Sequence, residues 1–484
     1  MRSGNSGKIF VKKENYKKVG SIFLPFVIIL GIVFRVYAYL QNPSFWFDES
    51  ALAYNVITLK YTELLGVLHL QQVAPPLFLV LTKWVVSVLG NSELSFRFIP
   101  LVVSCATLIP FYYLLKTIFD DNPKAINFGM FLFAINPKMA YFGSEFKPYI
   151  LDVFFAILIF WVFLKINLKS WSWKKLALTG LGLALSVWFS FTSVIVVCVG
   201  MLTLLISQKD EIKNWLILLA PIICNYLIFA IYYLSISRIY SDFMSDFFSG
   251  EFNHFTIPVA YFFNNEIPFA IMITSIALVA GIIYFMAEKK KFEISFIMWT
   301  FIVTVALSQL HLYPAYQRFM IFLLPYTIII LSMVFALLLT KKNFQSRLVL
   351  IFILLSLVPI SVNYKPSEAR DLTQYMIQNL NEDDLIVVDS LALPDFLFYT
   401  YNVEMKNKII APFDKKDGKL MYKLESKNNF PTEYDNFWFY STRMKDFDKV
   451  IKKDGNVELL NDYKITNKMI TRNGGVFKLM KNEE

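Results

Sequence analysis

The sequence predicts a polytopic α-helical membrane protein that continues into a soluble α/β domain, and three observations support this fold class. The 484 residues are 56% hydrophobic and 17% charged, whereas soluble globular chains carry about 25% charged residues. Several apolar runs reach the ~20 residues that a helix needs to cross a bilayer. Beyond residue 363 the composition becomes polar, and residues 365–390 show an amphipathic helix, a turn and the buried strand "LIVV". "NKIIAP" and "FWFYS" predict further strands.

The basic residues indicate the topology rather than a nucleic-acid partner. The net charge is +10, but Lys and Arg lie in short connectors between apolar runs instead of forming one patch. Cytoplasmic loops of membrane proteins are enriched in Lys and Arg in this way. The basic N-terminal segment is therefore predicted to be cytoplasmic, and the first span, about 21–40, leads to the outer face.

The apolar stretch 74–90 decides the rest of the topology. It is near the lower length limit for a span, and Lys83 in its middle would cost about 2.5–3.5 kcal/mol at the bilayer centre. If it crossed, three basic loops would lie outside; if it lies along the outer interface, anchored by Lys83 and Trp84, all three lie inside. The loops concerned are 168–175, 288–291 and 341–347. We therefore predict that the first outer loop contains interfacial helices.

About eleven crossings remain, and the last one ends outside. The predicted spans are about 21–40, 97–116, 125–143, 149–166, 176–190, 192–207, 214–236, 267–287, 293–309, 319–340 and 347–363. The predicted spans make residues 1–363 a membrane domain. Because the number of crossings is odd and the N-terminus is predicted to be cytoplasmic, the α/β domain, residues 364–484, is predicted on the extracytoplasmic side. The three cysteines lie in apolar runs without disulfide or metal spacing.

Polar residues from separate outer loops are expected to meet in one cavity. The first outer loop carries adjacent acids, Asp48 and Glu49, in "FWFDES". The other candidates are Arg97, then Glu145, Lys147 and Tyr149 in "YFGSEFKPY", and His311, Tyr316 and Arg318 in "HLYPAYQRF". Clustered cations suit an anionic phosphate headgroup, and a nearby carboxylate can take a proton from an attacking hydroxyl.

Each candidate also has a purely structural interpretation. Asp48 and Glu49 would interact favourably with a helix dipole if they open the helix "ESALAYNVI". The Lys and Arg residues near span ends could extend their charges to the interface without any ligand. His69, His254 and His311 share no ligand spacing, so no metal site is predicted from them.

The order of these motifs resembles that of GT-C glycosyltransferases. The resemblance rests on "FWFDESALAY", "APPLFLVL", "LGNSELSFRFIPLV", "NPKMAYFGSEFKPYIL" and "YPAYQRFMIFLLPY", and it covers residues 20–340. The branch is the bacterial one similar to dolichyl-phosphate-mannose–protein mannosyltransferases and lipid A aminoarabinose transferases. The segment 365–400 also resembles the opening of that branch's outer C-terminal domain.

This resemblance implies transfer of a sugar from a polyprenyl-phosphate donor to an acceptor on the outer face. It makes Asp48 the catalytic acid/base, and Glu49 would orient Asp48 or the acceptor. The cations matched to the family pattern, and so implied as ligands of the donor phosphate, are Lys147, Arg97 and Arg318. Further substrate contacts are expected from Glu145, Tyr149, His311 and Tyr316. We expect a single displacement with inversion at the anomeric carbon, dominated by electrostatic stabilisation of the leaving phosphate.

Two positions depart from the family pattern. Lys147 stands where an Arg is more usual, so a two-pronged phosphate clamp becomes a point charge. Where aminoarabinose transferases carry an acid–lysine pair before the paired prolines, this chain has "LQQVAPP". The second departure argues against lipid A as the acceptor.

The expected reaction requires no nucleotide or other cofactor, because the lipid phosphate already activates the sugar; a divalent metal stays open without being indicated. The expected partners are the polyprenyl-phosphate-linked sugar, an acceptor glycan, protein or lipid, and membrane lipid. The expected location is the bacterial cytoplasmic membrane. Three other functions stay open: a transporter or flippase of lipid-linked sugars, a glycan polymerase or ligase, and a non-catalytic scaffold. Charges gathered at the outer edge, without repeated halves, favour an enzyme over a transporter.

Overall fold

The computed structural model describes most of the membrane part and a sheet-containing C-terminal part. The described residues are 16–239, 261–263, 268–287, 290–314, 316–340, 367–411, 413–416, 419–422, 434–442, 463–471 and 474–482. The predicted span 347–363, the basic loop 341–347 and the predicted domain boundary at residue 363 lie outside them.

The membrane part is built of helices of very different lengths. They are α1 (Tyr16–Leu40), α2 (Phe47–Thr58), α3 (Pro76–Leu89), α4 (Glu93–Ala106), α5 (Leu108–Ile118), α6 (Pro123–Ile135), α7 (Pro137–Gly143), α8 (Tyr149–Lys165), α9 (Trp173–Leu185), α10 (Ser193–Ser207), α11 (Ile212–Ile239), α12 (Pro268–Ala287), α13 (Lys291–Gln309) and α14 (Leu324–Thr340). Short 3-10 helices lie at Glu63–Leu65, Ser186–Trp188, Lys209–Glu211 and Gln317–Leu323.

Five stretches of the described residues are long and apolar enough to cross a membrane. They are Phe23–Leu40, Glu93–Ile118, Lys209–Ile236, Lys291–Gln309 and Gln317–Leu339. The chain is therefore a multi-pass membrane protein, as predicted. The count of about eleven crossings stays a prediction, because several further apolar helices, such as α6 and α10, are shorter than a full span.

The predicted span 125–143 is two helices rather than one. Asn136 caps α7, its side chain accepting the backbone N–H of Lys138, and Pro137 is the first residue of that helix. Proline has no N–H to donate back to α6, and the residue before a proline is disfavoured in helical geometry. The chain therefore turns at this point.

Arg35 of α1 compensates for this break. Its guanidinium is fully buried and donates to the carbonyls of Phe133 and Ala134 at 3.2 and 2.9 Å. These are carbonyls at the end of α6 that a continuing helix would have satisfied. Further bonds to the carbonyl of Gly31 and the hydroxyl of Ser104 complete its environment, so one cation joins α1, α4 and α6.

Helix α3 turns its only charge towards the first loop. The amine of Lys83 donates to the carbonyl of Val56 in α2 at 2.7 Å and lies 5.6 Å from the ring centre of Tyr61. A lysine with such partners does not need to lie among lipid tails, which supports the predicted interfacial position of this helix.

The C-terminal part contains a mixed β-sheet with helices, and we refer to it by its predicted name, the α/β domain. Its elements are α15 (Ala369–Asn379), β1 (Leu385–Val388), α16 (Leu393–Tyr399), β2 (Ile409–Ile410), β3 (Phe413–Lys416), β4 (Lys419–Tyr422), β5 (Asn436–Ser441), β6 (Tyr463–Ile470) and β7 (Gly475–Lys481). The sheet order is β2-β1-β5-β7-β6, with β1 parallel to β2 and β5 and the other pairs antiparallel. β3 and β4 form a separate antiparallel hairpin.

The local sequence explains the first elements of this domain. All four residues of "LIVV" are buried in β1, as expected for a strand covered on both faces. In α15 the buried residues Ala369, Leu372, Thr373 and Met376 recur at the spacing of one helix face. This face packs on the sheet: Leu372 and Met376 lie in one hydrophobic cluster with the strand residues Ile386 and Trp438.

The α/β domain shares its core with the first loop of the membrane part. Ala51 of α2 and Leu70, both fully buried, lie in one hydrophobic cluster with Trp438 and other core residues of the domain. An ion pair also connects the two parts: Arg370 of α15 pairs with Glu93 of α4 at 2.6 Å. The domain therefore rests directly on the segment that carries the candidate site.

Candidate active site

Asp48 is presented by the first turn of α2. The helix begins at Phe47, so both acids stand where a helix dipole favours negative charge. The Asp48 carboxylate pairs with Arg318 at 3.1 Å, and its side chain is 16% exposed. Arg318 lies in the 3-10 helix that precedes α14, far along the chain from Asp48. The fold thus brings together two distant segments that are both predicted on the outer face.

Glu49 forms a buried ion pair with Arg97. Its two carboxylate oxygens accept from Nε and Nη2 of Arg97 at 2.9 and 2.7 Å, and one also accepts the N–H of Phe146 at 2.6 Å. The remaining guanidinium nitrogen, Nη1, donates to the carbonyl of Pro43 at 2.7 Å. Arg97 is 1% exposed. The geometry therefore gives this pair a structural place and does not bring the predicted phosphate ligand Arg97 to the cavity.

A cavity of about 370 Å³ opens beside Asp48. Its polar lining residues are Asp48, Gln71, Gln72, Lys147, Tyr149, Asp152, Thr192, Tyr233, Tyr313 and Arg318; its apolar wall includes Phe191, Val194, Ile195, Phe229, Leu307 and Leu312. Small-ligand pockets typically combine an apolar lining with a few convergent polar groups in this size range. Three charged residues that were predicted for the site, Asp48, Lys147 and Arg318, therefore line one cavity although they come from three separate segments.

The two cations of the cavity are held differently. The buried amine of Lys147 donates to the side-chain oxygen of Gln72 at 3.1 Å. Burial lowers the pKa of Lys147, and Asp48 is the strongest charge that opposes this shift. Arg318 pairs with Asp48 through Nη1, whereas its buried Nε has no hydrogen-bond partner among the described residues. Its guanidinium also lies 5.6 Å from the ring centre of Trp46.

Glu145 lies behind the cavity rather than on it. One oxygen accepts the indole N–H of Trp46 at 2.8 Å, and the other has no hydrogen-bond partner among the described residues. Burial is the main cause that raises the pKa of Glu145 to about 8, and the negative charge of Glu49 is the second. The positive charges of Arg318 and Lys147 oppose this shift. The surroundings of Glu145 therefore favour its protonated carboxyl group.

The remaining predicted contacts divide between the cavity and the surface. Tyr149 lines the cavity at the start of α8, its ring packed edge-on against Phe319. Tyr316 is 44% exposed and lies beside the Arg318 guanidinium. His311 is exposed at a turn with a φ of 55° and is not among the residues that line the cavity. The geometry thus favours Tyr149 over His311 as a substrate contact.

Two features of the cavity were not assigned from the sequence. Gln71 and Gln72, the two glutamines of "LQQVAPP", line the cavity, although no role was predicted for either of them. Asp152 was not singled out, because it falls inside a predicted span; it lines the cavity, and the hydroxyl of Ser190 donates to it at 2.6 Å. An acid inside a predicted span is itself a signal of function, and that signal could have identified it. The described residues contain no group of three or more His, Cys, Asp or Glu that could hold a metal ion.

One protein family matches part of the chain. Residues 73–233 match the family described as dolichyl-phosphate-mannose-protein mannosyltransferase. No curated protein matches the chain in sequence. The matched segment contains α3 to α10 and therefore includes Lys147, Tyr149 and Asp152 of the cavity.

Solved structures of similar fold extend the match beyond this segment. ArnT from Cupriavidus metallidurans, solved bound to undecaprenyl phosphate, has 9% identity and a TM-score of 0.53; its apo state has 10% and 0.52. Both matches cover 96% of this chain and 98% of that one. The apo oligosaccharyltransferase of Archaeoglobus fulgidus has 11% identity and a TM-score of 0.48 over 80% of this chain. This chain spans 64% of that protein's length, which is less than two thirds.

Proposed function

We propose that this chain is a glycosyltransferase of the GT-C type that moves a sugar from a polyprenyl-phosphate donor to an acceptor hydroxyl; the partial family match and the similar fold support this. The observation that carries the proposal is the meeting of Asp48, Lys147 and Arg318 on one cavity with an apolar wall. Two cations suit a phosphate, and the apolar wall suits a hydrocarbon tail. The ArnT structure holds undecaprenyl phosphate, and the shared fold supports a donor lipid of that chemistry here.

The proposed reaction is a single displacement that inverts the anomeric carbon. Asp48 takes the proton of the acceptor hydroxyl while the hydroxyl oxygen forms its bond to the anomeric carbon. The bond from that carbon to the phosphate oxygen breaks, and the electron pair stays on the polyprenyl phosphate. Lys147 and Arg318 stabilise the charge that develops on this leaving group.

The buried ion pair of Glu49 and Arg97 supports this site without lining the cavity. Glu49 and Arg97 join α2, α4 and the turn that precedes Lys147. We therefore assign them to positioning Asp48 and Lys147, instead of the catalytic and phosphate-binding roles that the resemblance implies. Glu145, Tyr149 and Tyr316 stay candidates for substrate contact, and of these only Tyr149 lines the cavity.

The proposal includes a location. The site and the α/β domain lie on the extracytoplasmic side of a bacterial cytoplasmic membrane, with about eleven crossings and α3 along the outer interface. The acceptor is a glycan, a protein or a lipid; the reaction requires no cofactor, and a divalent metal stays open. Positive charge on the predicted inner loops and Lys83 turned to the first loop support this arrangement.

Transfer from a radiolabelled polyprenyl-phosphate sugar in proteoliposomes tests the proposal. We expect Asp48→Asn to lower transfer roughly 10²–10⁴-fold, the usual contribution of a general base, while the protein still binds undecaprenyl phosphate. The matched control is Glu63→Gln, an acid of the same loop whose carboxylate accepts the backbone N–H of Lys60 outside the cavity; it should transfer like the unchanged protein.

Two results would contradict the proposal. Full transfer by Asp48→Asn would remove the base from the mechanism. Movement of the labelled lipid across the bilayer without any transfer by the unchanged protein would instead support a flippase.

A further inference from the structure

The turn that brings Gln71 and Gln72 to the cavity has an unfavourable backbone conformation. Leu70 and Gln71 have φ values of 59° and 46°, a region that residues with a Cβ rarely adopt. Such geometry persists where the surroundings determine it strongly. We call residues 69–72 the glutamine turn.

The hairpin of β3 and β4 holds this turn from the α/β domain. The N–H of Leu70 donates to the carbonyl of Leu420 at 2.7 Å, and the N–H of Leu420 donates to Nδ1 of His69 at 3.1 Å. Both backbone groups of Leu420 therefore face the first loop, like an edge strand that accepts another strand. Leu70 is fully buried in the core of the α/β domain.

The same histidine is fixed from the membrane part. The side-chain amide of Asn55, in α2, accepts the N–H of His69 and donates to its carbonyl. Asn55 is fully buried and also donates to the carbonyl of Ala51. His69 thus connects the helix that carries Asp48 with a hairpin that lies about 350 residues away in the chain.

The glutamine turn ends on a cation of the cavity. Gln72 donates to the carbonyl of Leu70 at 3.3 Å and accepts the amine of Lys147 at 3.1 Å. An uninterrupted series of contacts therefore runs from Leu420 through His69 and Leu70 to Gln72 and Lys147. The geometry points to His69 as a positioning residue through which the α/β domain sets the donor-phosphate end of the cavity.

This inference rests on the proposed role of Lys147 in binding donor phosphate, and it gives the α/β domain a task in the reaction. If the contact between His69 and the hairpin is lost, the turn can relax and Gln72 no longer holds the Lys147 amine against the cavity. The donor should then bind more weakly, whereas Asp48, which Arg318 holds, keeps its place. The expected signature is weaker donor binding together with a lower kcat/KM, because Lys147 also stabilises the leaving phosphate.

The experiment measures binding of undecaprenyl phosphate to the full chain in nanodiscs. We expect His69→Ala to weaken binding roughly fivefold or more, the lower range of coupling between distinct sites. His69→Asn, whose side-chain oxygen can accept in place of Nδ1, should restore most of it. The control is Lys406→Ala, a surface residue of the same domain with an 82% exposed side chain, which should bind like the unchanged protein.

A double-variant cycle separates this series of contacts from general destabilisation. Gln72→Ala should weaken binding about as much as His69→Ala, and the double variant should be no worse than Gln72→Ala alone, because both changes interrupt one series. Losses that multiply, or unchanged binding by His69→Ala, would overturn the inference. If His69→Ala does not fold, Leu420→Pro removes the N–H that His69 accepts without removing a bond between β3 and β4.

Hydrogen exchange at the Leu70 amide makes the two proposals distinguishable. Its exchange should be faster in His69→Ala than in the unchanged protein, and slow again in His69→Asn, whether or not any lipid binds. Unchanged exchange would contradict the inference alone. Failure of the unchanged protein to bind undecaprenyl phosphate, with the exchange result as expected, would contradict the proposed donor instead.

Discussion

At the scale of single residues, charge around the cavity is divided between groups that face it and groups that support it. Asp48, Lys147 and Arg318 line the cavity, whereas Glu49 and Arg97 satisfy each other out of contact with solvent. Removing one member of a buried pair leaves an uncompensated charge, which is strongly destabilising. Loss of activity on changing Glu49 or Arg97 is therefore expected from folding alone and does not identify a catalytic group.

Glu145 gives a pH-dependent prediction at this scale. The pKa of Glu145 is raised from 4.5 to about 8 in the folded protein. At a pH between these two values, the folded state therefore keeps a proton on Glu145 that the unfolded state has lost. Stability therefore falls as the pH rises through this window. We expect Glu145→Gln to gain at least about 1 kcal/mol over the unchanged protein between about pH 5 and about pH 8, measured as unfolding followed by tryptophan fluorescence in detergent.

The control for this measurement is Asp121→Asn, in an exposed turn where the carboxylate pairs with Lys116 at 3.4 Å. It should leave the pH dependence as it is in the unchanged protein. An equal gain at about pH 5 and about pH 8 for Glu145→Gln would mean that the carboxyl group does not titrate in this window.

At the scale of elements, a helix break and a distant cation depend on each other. Pro137 ends α6, and Arg35 of α1 supplies donors for the freed carbonyls of Phe133 and Ala134. Neither feature is needed without the other: an unbroken helix would satisfy its own carbonyls, and a buried guanidinium without acceptors would be costly. The break therefore fixes where α1 packs.

Arg35→Met tests this dependence. Met fills much of the space but donates no hydrogen bond, so buried carbonyls stay unsatisfied and we expect a loss of about 1–3 kcal/mol in the free energy of unfolding. Ile32→Met, at a 37% exposed position of the same helix, is the control and should change stability by less than about 0.5 kcal/mol. Pro137→Ala should recover part of the loss, since alanine can donate its N–H to α6. Equal stability of Arg35→Met and the control would show that the carbonyls are satisfied otherwise.

At the scale of the whole molecule, the sequence predicts what periodicity and composition determine. Apolar runs predict the helices, and the polar shift near residue 363 predicts the α/β domain, because both depend on neighbouring residues. The partner of Glu49 could not be predicted, since Arg97 lies 48 positions away and either could have faced the cavity. The insertion of Leu70 into the core of the α/β domain was equally hidden, because that contact exists only after both parts have folded.

The side of the membrane on which the site lies is the prediction for the whole molecule. The helices alone do not indicate how the chain is oriented across the membrane, whereas the positions of Lys and Arg favour an extracytoplasmic site. In a chain whose three cysteines are replaced by alanine, Lys406→Cys of the α/β domain should react with a membrane-impermeant maleimide in intact spheroplasts. Lys209→Cys, exposed between α10 and α11, should react only after permeabilisation. The reverse pattern would place Asp48 in the cytoplasm and exclude an acceptor outside the cell, since Lys406 and Asp48 belong to parts that share one core.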